Sequence, residues 1–278
     1  AYEIVSRDWS SDVCSSDLIT TPGVYFAEGF GNGNMSGAKL NNDVVALARE
    51  CNEFGAKMKQ DLKLYVGGED AFCRRVQKQD DGSFADYGVV DRAALKAARV
   101  TPVLSELPIA IEGHAFTTGI VPRTSIETVL PNTFVTFGQK NGLGCSTSNY
   151  GDHHFTAEEL AGKPVPDQHW HEHATCYKLG DRGLIVITSC GHGGIINTLR
   201  RAQEVTGIQK IHALCGGFHL APAQQPYLEK IMAELKTFDM DHLIPMHCSG
   251  SNFLEAAKRE MPEKLILCTT GSRFTFTA

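Results

Sequence analysis

The sequence predicts an α/β protein, chiefly from one strand–turn–helix unit in its last third. The apolar, β-branched run Leu184–Thr188 indicates a buried strand. The glycine-rich turn that follows carries Cys190 and His192. Apolar residues then recur at helical spacing, which predicts a helix from Ile195 to Thr206. Ligands of open α/β sheets bind beyond the carboxyl ends of strands, so this turn is the first candidate site.

The same unit recurs twice further along the chain. Predicted strands at 208–214 and 243–246 end at turns that carry His219 and His247, and Cys248 follows directly. Helices are expected near 226–235 and 253–260, and a last strand at 265–269. Turns at one edge of a sheet converge, so we expect the three histidines to share a site. Imidazole and thiolate are ligands that zinc prefers, although each histidine taken alone is better explained as a hydrogen-bonded loop residue.

Composition excludes several classes of protein. The chain has 278 residues, enough for one large or two small domains. A formal charge of −6 argues against a nucleic-acid-binding surface. No apolar run approaches the roughly 20 residues that cross a bilayer. Neither nucleic acid nor a membrane is therefore an expected partner, and assembly into a homo-oligomer is left open.

Cysteine usage favours a reducing compartment. The nine cysteines form no CxxC pair, and several lie in or beside apolar runs, namely Cys51, Cys73, Cys176, Cys215 and Cys268. These are expected to be reduced core residues, which predicts a cytoplasmic protein. The sequence begins with Ala, so its true N-terminus is not visible and export through an upstream segment stays an alternative.

The first half of the chain is less regular. Residues 1–18 resemble a translated sequencing adapter, and we expect a foreign or disordered segment there. Residues 19–278 are predicted to form a single domain with a long inserted loop near 138–168. Within it we expect helices at 44–59, 69–77 and 91–99, a strand at 62–66, a loop at 78–90, and one or two strands at 103–111.

Two further stretches carry candidate site residues. His169, His171 and His173 have a period of two, so in a strand their side chains would share one face. His171 is the candidate ligand of this group, and His169 and His173 are expected to face solvent. The backbone N–H groups around Gly193 and Gly194, at the start of a helix, could hold a phosphate or carboxylate.

Several motifs resemble the metallo-β-lactamase-fold hydrolases, in the branch similar to ribofuranosylaminobenzene 5'-phosphate synthase. The specific ones are GLIVITSCGHGGIINTLRRAQ, GGFHLAP and IPMHCSG, supported by YVGGEDAFCRR, GHAFTTGIVPR and PDQHWHEHATCY. The resemblance implies an αββα sandwich and a site for one or two metal ions. Zinc is the expected metal, with iron and manganese as alternatives.

The resemblance also assigns residues. It implies that His192 and His247 are metal ligands and that Cys190 replaces the bridging Asp of the family. His171 falls in the segment of the middle motif, for which His114 is a weaker candidate. The residues expected to contact substrate or support the ligands are His114, His219, Gly193 and Gly194.

The first motif of the family, HxHxDH, is absent. Its place is taken by Met35–Leu40, and no histidine precedes His114. We therefore expect a domain that is incomplete at its N-terminus and that holds one ion instead of two. The predicted function is hydrolysis of a small ester, lactone or phosphate-bearing substrate by metal-activated water. Two alternatives are a non-catalytic relative that binds a ligand or partner, and a doubly wound domain with an anion site at Gly191–Gly194.

Overall fold

The structure of the protein is a computed structural model, which describes residues 2–5, 18–21, 24–27, 62–97, 99–111, 115–131, 133–148, 150, 153–269 and 272–277. The predicted helix at 44–59, the segment Met35–Leu40 and the candidate residue His114 lie outside these ranges. Of residues 1–18, only 2–5 and 18 lie inside them.

The strands are, in chain order, β1 (Tyr2–Val5), β2 (Leu18–Thr21), β3 (Val24–Ala27), β4 (Leu62–Val66), β5 (Arg74–Lys78), β6 (Phe84–Gly88), β7 (Val100–Leu104), β8 (Ile109–Ile111), β9 (Ala115–Thr117), β10 (Phe134–Thr136), β11 (Gln139–Lys140), β12 (Leu143–Gly144), β13 (Val165–Pro166), β14 (Thr175–Lys178), β15 (Leu184–Thr188), β16 (Ile211–Gly217), β17 (Met240–Met246) and β18 (Arg273–Phe276). The α-helices of the described residues are α1 (Arg92–Ala97), α2 (Ala157–Leu160), α3 (Ile195–Thr206), α4 (Gln225–Leu235) and α5 (Ser251–Glu260).

The largest sheet has six strands in the order β17-β16-β15-β14-β9-β8. β15, β16 and β17 are parallel neighbours, and the remaining pairs of this sheet are antiparallel. A second sheet has the order β2-β3-β4-β7, and a third has the order β13-β10-β5-β6. β1 pairs with β18, so the described start and end of the chain meet. The three parallel strands confirm the three strand–turn–helix units that the sequence predicts.

Both faces of the six-stranded sheet are covered. Val186 on one face packs in a core cluster with Ile196 and Leu199 of α3 and with residues of α4 and α5. Ile187 on the other face belongs to a cluster that includes Tyr65 of β4. Every residue of β15 is buried, as expected for a strand covered on both sides. Helices, sheet and sheet thus follow one another in layers, which accords with the predicted sandwich.

Some local predictions are wrong. The expected helix at 69–77 is a short 3-10 helix, Glu69–Phe72, followed by β5, and the expected loop at 78–90 contains β6. In the expected strand at 265–269, only Leu265 forms an isolated bridge, to Leu243. Each of these stretches is short and carries weak periodicity, so contacts distant in sequence decide its conformation.

Cys73 is not a reduced core residue. It forms a disulfide with Cys145, 72 residues further along the chain. Both cysteines are buried in a cluster with Phe72 and Val135. Sequence spacing carries no information on such a pairing, which depends on how β5 and the segment after β12 meet in the fold.

No helix of the described residues is long and apolar enough to cross a membrane.

Candidate metal centre

His192 follows β15 in the glycine-rich turn, and its ring is held by a carboxylate. Its Nδ1 lies 2.5 Å from Oε1 of Glu172, whose other oxygen accepts the backbone N–H of Gly193 at 2.8 Å. His192 is 3% exposed. Burial alone would raise the pKa of Glu172, but His192 lowers it to well below its usual range, so the carboxylate is ionised. An ionised partner at Nδ1 places the ring proton there and leaves Nε2 as the electron-pair donor.

His169 stacks on His192. The two ring centroids lie 3.8 Å apart and the rings are within 8° of parallel. Burial, reinforced by the neighbouring His192, lowers the pKa of His169 well below its usual range, so the ring is neutral. Ligand atoms of His169, Glu172 and His192 all lie within 4.8 Å of one another. These three residues form the first group of candidate ligands.

His171 has the same arrangement as His192. Its Nδ1 lies 2.6 Å from Oδ2 of Asp70, which also accepts the backbone N–H of His171 at 3.2 Å. The Nε2 atom of His171 is buried and has no hydrogen-bond partner among the described residues. Gly67 lies so close to the His171 carbonyl that a side chain there would collide with it. The backbone and Nδ1 of His171 are thus fixed, and Nε2 is left to bind something else.

A buried ion network holds Asp70 in place. Arg75, 1% exposed, donates to Asp70 Oδ2 at 2.7 Å and to Asp167 Oδ2 at 2.8 Å. Tyr150 donates its hydroxyl to the other oxygen of Asp70. Burial would raise the pKa of Asp70, but Arg75 and His171 lower it well below its usual range. Asp167 in turn accepts the backbone N–H of His169 at 2.8 Å, so one arginine supports both histidine backbones.

Cys190 and His247 meet across the sheet edge. Cys190 Sγ lies 3.0 Å from His247 Nε2, and Cys248 supplies a second sulfur, with the three ligand atoms within 4.8 Å of one another. Gly217, at the end of β16 between them, leaves the necessary space, because a Cβ at this position would strike the imidazole of His247. These residues form the second group of candidate ligands.

The turns of the three parallel strands converge as the sequence predicts. His219, after β16, has its ring centroid 4.2 Å from that of His192, and its backbone N–H donates to Cys248 Sγ at 3.2 Å. The four predicted ligands nevertheless separate. His192 lies in the first group and Cys190 with His247 in the second, whereas the ring of His171 is 5.8 Å from that of His169 and lies in neither.

The predicted strand at His169–His173 is wrong. These residues form a turn before β14, and His169 has a positive φ of 50°. His169 and His173 are also buried, at 1% and 7% exposure, where solvent-facing side chains were expected. Their alternation with other residues is not that of a pleated strand, because His171 is held by Asp70 and His169 stacks on His192, both distant in sequence.

The N–H groups near Gly193 and Gly194 are already satisfied within the protein. Glu127 accepts from the backbone N–H of Ile196 at 3.2 Å and of Asn197 at 3.0 Å, while Glu172 takes that of Gly193. The Glu127 side chain packs against Gly194, where no Cβ would fit. The N–H groups at the start of α3 thus donate to the protein's own carboxyl groups.

Sequence reasoning missed Asp70, Glu172 and Cys248. Glu172 lies inside the HWHEH stretch and Cys248 beside His247, so proximity to histidines indicated both. Asp70 lies about a hundred residues from His171, and only the glycine pair before it suggested a tightly packed segment.

The donor sets fit a divalent cation. Zinc binds sulfur at about 2.3 Å and imidazole nitrogen at about 2.1 Å, so a sulfur and a nitrogen on one ion lie at most ~4.4 Å apart and two sulfurs at most ~4.6 Å. The ligand atoms of each group lie within 4.8 Å of one another, which is close to these limits. Buried imidazoles with a carboxylate at Nδ1, as at His171 and His192, are typical of metal-binding histidines. The chain therefore has two groups of residues suited to binding a divalent metal ion.

Comparisons with known proteins agree with these features. No protein-family model matches the chain. Over 84 residues it is 30% identical to the 7,8-dihydropterin-6-methyl-4-(beta-D-ribofuranosyl)-aminobenzene-5'-phosphate synthase of Methanocaldococcus jannaschii, and the match covers 29% of each chain. Over 66 residues it is 38% identical to an uncharacterised protein of the same organism, covering 24% of each. The matches thus span less than a third of either relative.

A solved structure resembles the whole chain. The crystal structure of Tm1679, a metal-dependent hydrolase of the β-lactamase superfamily, superposes with a TM-score of 0.67 at 17% identity and covers 100% of both chains. At this identity the likeness establishes the fold. The chain therefore has the metallo-β-lactamase fold, and its local similarity to the methanogen synthase supports the branch that its motifs indicate.

Proposed function

We propose that the chain is a metal-dependent hydrolase that acts on a small ester, lactone or phosphate-bearing substrate. The observation that carries this proposal is the pair of buried histidines, His171 and His192, each with a carboxylate on Nδ1. Burying a carboxylate costs free energy, so a buried carboxylate at Nδ1 indicates that the orientation of the ring matters. Metal-binding histidines commonly have such a carboxylate at Nδ1.

The proposed ligands are His171, Cys190, His192 and His247, to which the geometry adds His169, Glu172 and Cys248. A divalent metal supplies Lewis-acid polarisation of the scissile bond and activates water at neutral pH. Zinc suits the mixture of sulfur and imidazole, and iron or manganese would favour the group that contains Glu172. These two groups offer ligands without the HxHxDH motif, which supports binding of at least one ion.

The protein's own residues orient the site. Glu172 fixes His192 and the Gly193 backbone together, so the turn cannot rotate without breaking both hydrogen bonds. Glu127 fixes the first turn of α3 behind it. Because ligands are then held before any cation arrives, little reorganisation is needed on binding, which favours both affinity and rate.

A cation beside the centre favours substrates with negative charge. Half-buried Arg123 lies over the ring of Trp170, 4.1 Å from its centroid, and Trp170 is 38% exposed. Arg123 donates to the side chain of Gln168 at 3.0 Å and to its backbone carbonyl, and Gln168 directly precedes His169 of the first ligand group. A planar guanidinium next to an exposed aromatic ring can contact a phosphate or carboxylate and an adjoining ring.

The test is hydrolysis by the full chain, loaded with zinc, of chromogenic esters, lactones, phosphomonoesters and phosphodiesters. We expect turnover of at least one class, its loss with a chelator, and its recovery on adding metal. His192→Ala should lower kcat by two or more orders of magnitude, whereas His154→Ala, outside the centre, should have no effect. Turnover that a chelator does not change would contradict the proposal.

A second candidate is a metallo-β-lactamase-fold protein that binds a ligand without catalysis. The absence of histidine before position 114 favours it, because the first motif normally supplies several ligands. Such a protein would bind metal or a phosphate-bearing ligand and hydrolyse none of the four substrate classes. Chelator-sensitive turnover would exclude it.

A further inference from the structure

Two thiols from different turns meet at the edge of the six-stranded sheet. Cys190 follows β15 and Cys248 follows β17, the two strands on either side of β16. Their sulfur atoms lie within 4.8 Å of each other. The Cys248 thiol also donates to the backbone carbonyl of Cys190 at 3.5 Å. Thus the side chain of one cysteine lies against the backbone of the other, and the two thiols belong to one cluster.

We propose that Cys190 and Cys248 form a reversible disulfide, and that this disulfide and the metal exclude each other. The disulfide itself stands on the geometry of the two thiols. The exclusion rests on the proposed function, because it requires that the same sulfurs bind the metal. A sulfur in a disulfide has no thiolate to offer, so oxidation would remove two donors of the second ligand group at once.

Exposure assigns an order to the two thiols. Cys248 is partly exposed, whereas Cys190 is 1% exposed. A small oxidant in solution can therefore reach Cys248 first, and Cys190 then acts from within the protein. The remaining cysteines of the described residues that are not in the Cys73–Cys145 disulfide are Cys176, Cys215 and Cys268. None of these belongs to the ligand group that contains Cys190 and Cys248.

The chemistry is a pair of thiol–disulfide exchanges with a low-molecular-weight disulfide as oxidant. The Cys248 thiolate attacks one sulfur of the oxidant, forms a mixed disulfide and releases one small thiolate. The Cys190 thiolate then attacks the Cys248 sulfur, forms the Cys190–Cys248 bond and releases the second small thiolate. Two electrons pass from the protein to the oxidant. The two protons that the protein thiols give up end on the two small thiols.

The two sulfurs must approach each other before the bond can form. In the present arrangement they are farther apart than the roughly 2.05 Å of a disulfide bond. Rotation of the Cys248 side chain about its Cα–Cβ bond moves its sulfur relative to the Cys190 side chain. This rotation breaks the weak hydrogen bonds that Cys248 makes with Cys190 and His219.

The experiment uses the full chain, treated with a chelator, dialysed, and incubated with glutathione disulfide. Intact mass and peptide mapping without reductant are the readouts. We expect loss of two hydrogens and a peptide that links Cys190 to Cys248, both reversed by a thiol reductant. Cys268→Ser should behave as the unmodified chain. Absence of this link, or a link from Cys248 to any other cysteine, would overturn the proposal.

Two variants test the order and separate the disulfide from simple unfolding. Cys190→Ser should stop at the mixed disulfide and gain one glutathionyl group on Cys248. Cys248→Ser should gain far less, because the buried Cys190 is not reached. Equal modification of both variants would overturn the assigned order. Circular dichroism of each variant confirms that it is folded.

Cadmium tests the exclusion. At about ten times its Kd, Cd²⁺ should slow formation of the link about tenfold, because only the metal-free fraction reacts. A link that forms at the same rate with saturating cadmium would overturn the exclusion. Should the chain bind no metal at all, the proposed function fails while link formation in metal-free protein still decides whether the disulfide exists.

Discussion

The carboxylate of Asp70 lies 2.6 Å from Nδ1 of His171, and both residues are buried. They are 101 residues apart in sequence, so the 3-10 helix before β5 supports a turn before β14. The charge of Asp70 is balanced by Arg75, which leaves the contact with His171 to fix the ring. Nε2 of His171 has no hydrogen-bond partner among the described residues, so substitution of Asp70 tests directly whether this ring binds a metal.

Asp70→Asn should weaken metal binding. The substitution removes the negative charge that holds the proton on Nδ1, and loss of such a supporting carboxylate typically costs 10–100-fold in metal affinity, about the effect we expect here. Titration of zinc against a chelating dye measures it. The matched control is Asp86→Asn, which breaks the more exposed ion pair with Arg74 and should leave the affinity unchanged. Unchanged affinity in folded Asp70→Asn protein would show that His171 binds no metal.

Gly217→Ala should disturb the second ligand group. An added Cβ would strike Cε1 and Nε2 of the His247 ring and the backbone carbonyl oxygen of Ser189. The ring, the turn that carries Cys190, or both must therefore move, which disturbs their contact. With Co²⁺ in place of zinc, thiolate ligation gives a charge-transfer absorption, and we expect this band to fall by more than half in the variant. A folded variant with the full band would contradict the assignment of Cys190 and His247 to one ion.

Glu127 should make the free energy of unfolding fall as pH rises, the opposite of a carboxylate whose pKa is lowered on folding. Burial raises its pKa, although the backbone N–H groups of Asn197 and Ile196 oppose the shift. A carboxyl whose pKa is raised on folding binds its proton more tightly in the folded state. Its contribution is therefore fully present below the ordinary Glu pKa and is lost as pH rises through the raised value. The free energy of unfolding of the unmodified chain, relative to Glu127→Gln, should fall with rising pH.

Urea unfolding from about pH 4 to about pH 7.5 measures this difference. Glu159→Gln gives a control of opposite sign. Burial opposes the shift at Glu159, but hydrogen bonds from Thr156 lower its pKa, so its contribution is lost as pH falls. A rising or flat curve for Glu127 would contradict the burial of an intact carboxyl at the start of α3.

The Cys73–Cys145 disulfide should contribute strongly to the free energy of unfolding. Cys73 and Cys145 enclose a loop with a sequence separation of 72, and a closed loop of that size restricts the unfolded chain by about 4 kcal/mol in the chain-entropy account. We expect the Cys73→Ser/Cys145→Ser double variant to lose about 2–4 kcal/mol in urea unfolding. Cys268→Ser, outside this pair, should lose less than half as much. Equal stability of the double variant and the unmodified chain would mean that the bond does not form.

The last third of the chain was predictable because its information is local. The apolar run of β15, the glycine turn and the periodicity of α3 are all contained in about 25 residues, and the bounds of both elements match. The convergence of the turns followed from the parallel order of β15, β16 and β17. The motif that most resembles the metallo-β-lactamase-fold hydrolases covers these same residues, and it predicted the fold.

The supporting residues could not be predicted because they act across the chain. His169 and His173 looked like solvent-facing strand residues, yet the turn is buried. Asp70 and Arg75 reach it from a distant segment, and Arg75 also holds Asp167 directly before it. Alternation of polar residues has the same appearance in a strand and in a turn whose side chains are individually satisfied. The pairing of Cys73 with Cys145 is likewise a property of the assembled fold.

The most direct test of the central claim is the metal content of the purified full chain. After incubation with zinc and removal of the excess, elemental analysis should find about one or more equivalents of tightly bound metal. The His192→Ala/His247→Ala double variant, which loses a ligand from each group, should retain less than a quarter of that content while its circular dichroism is unchanged. Equal metal content in both proteins, or a folded unmodified chain that holds no metal, would contradict the account.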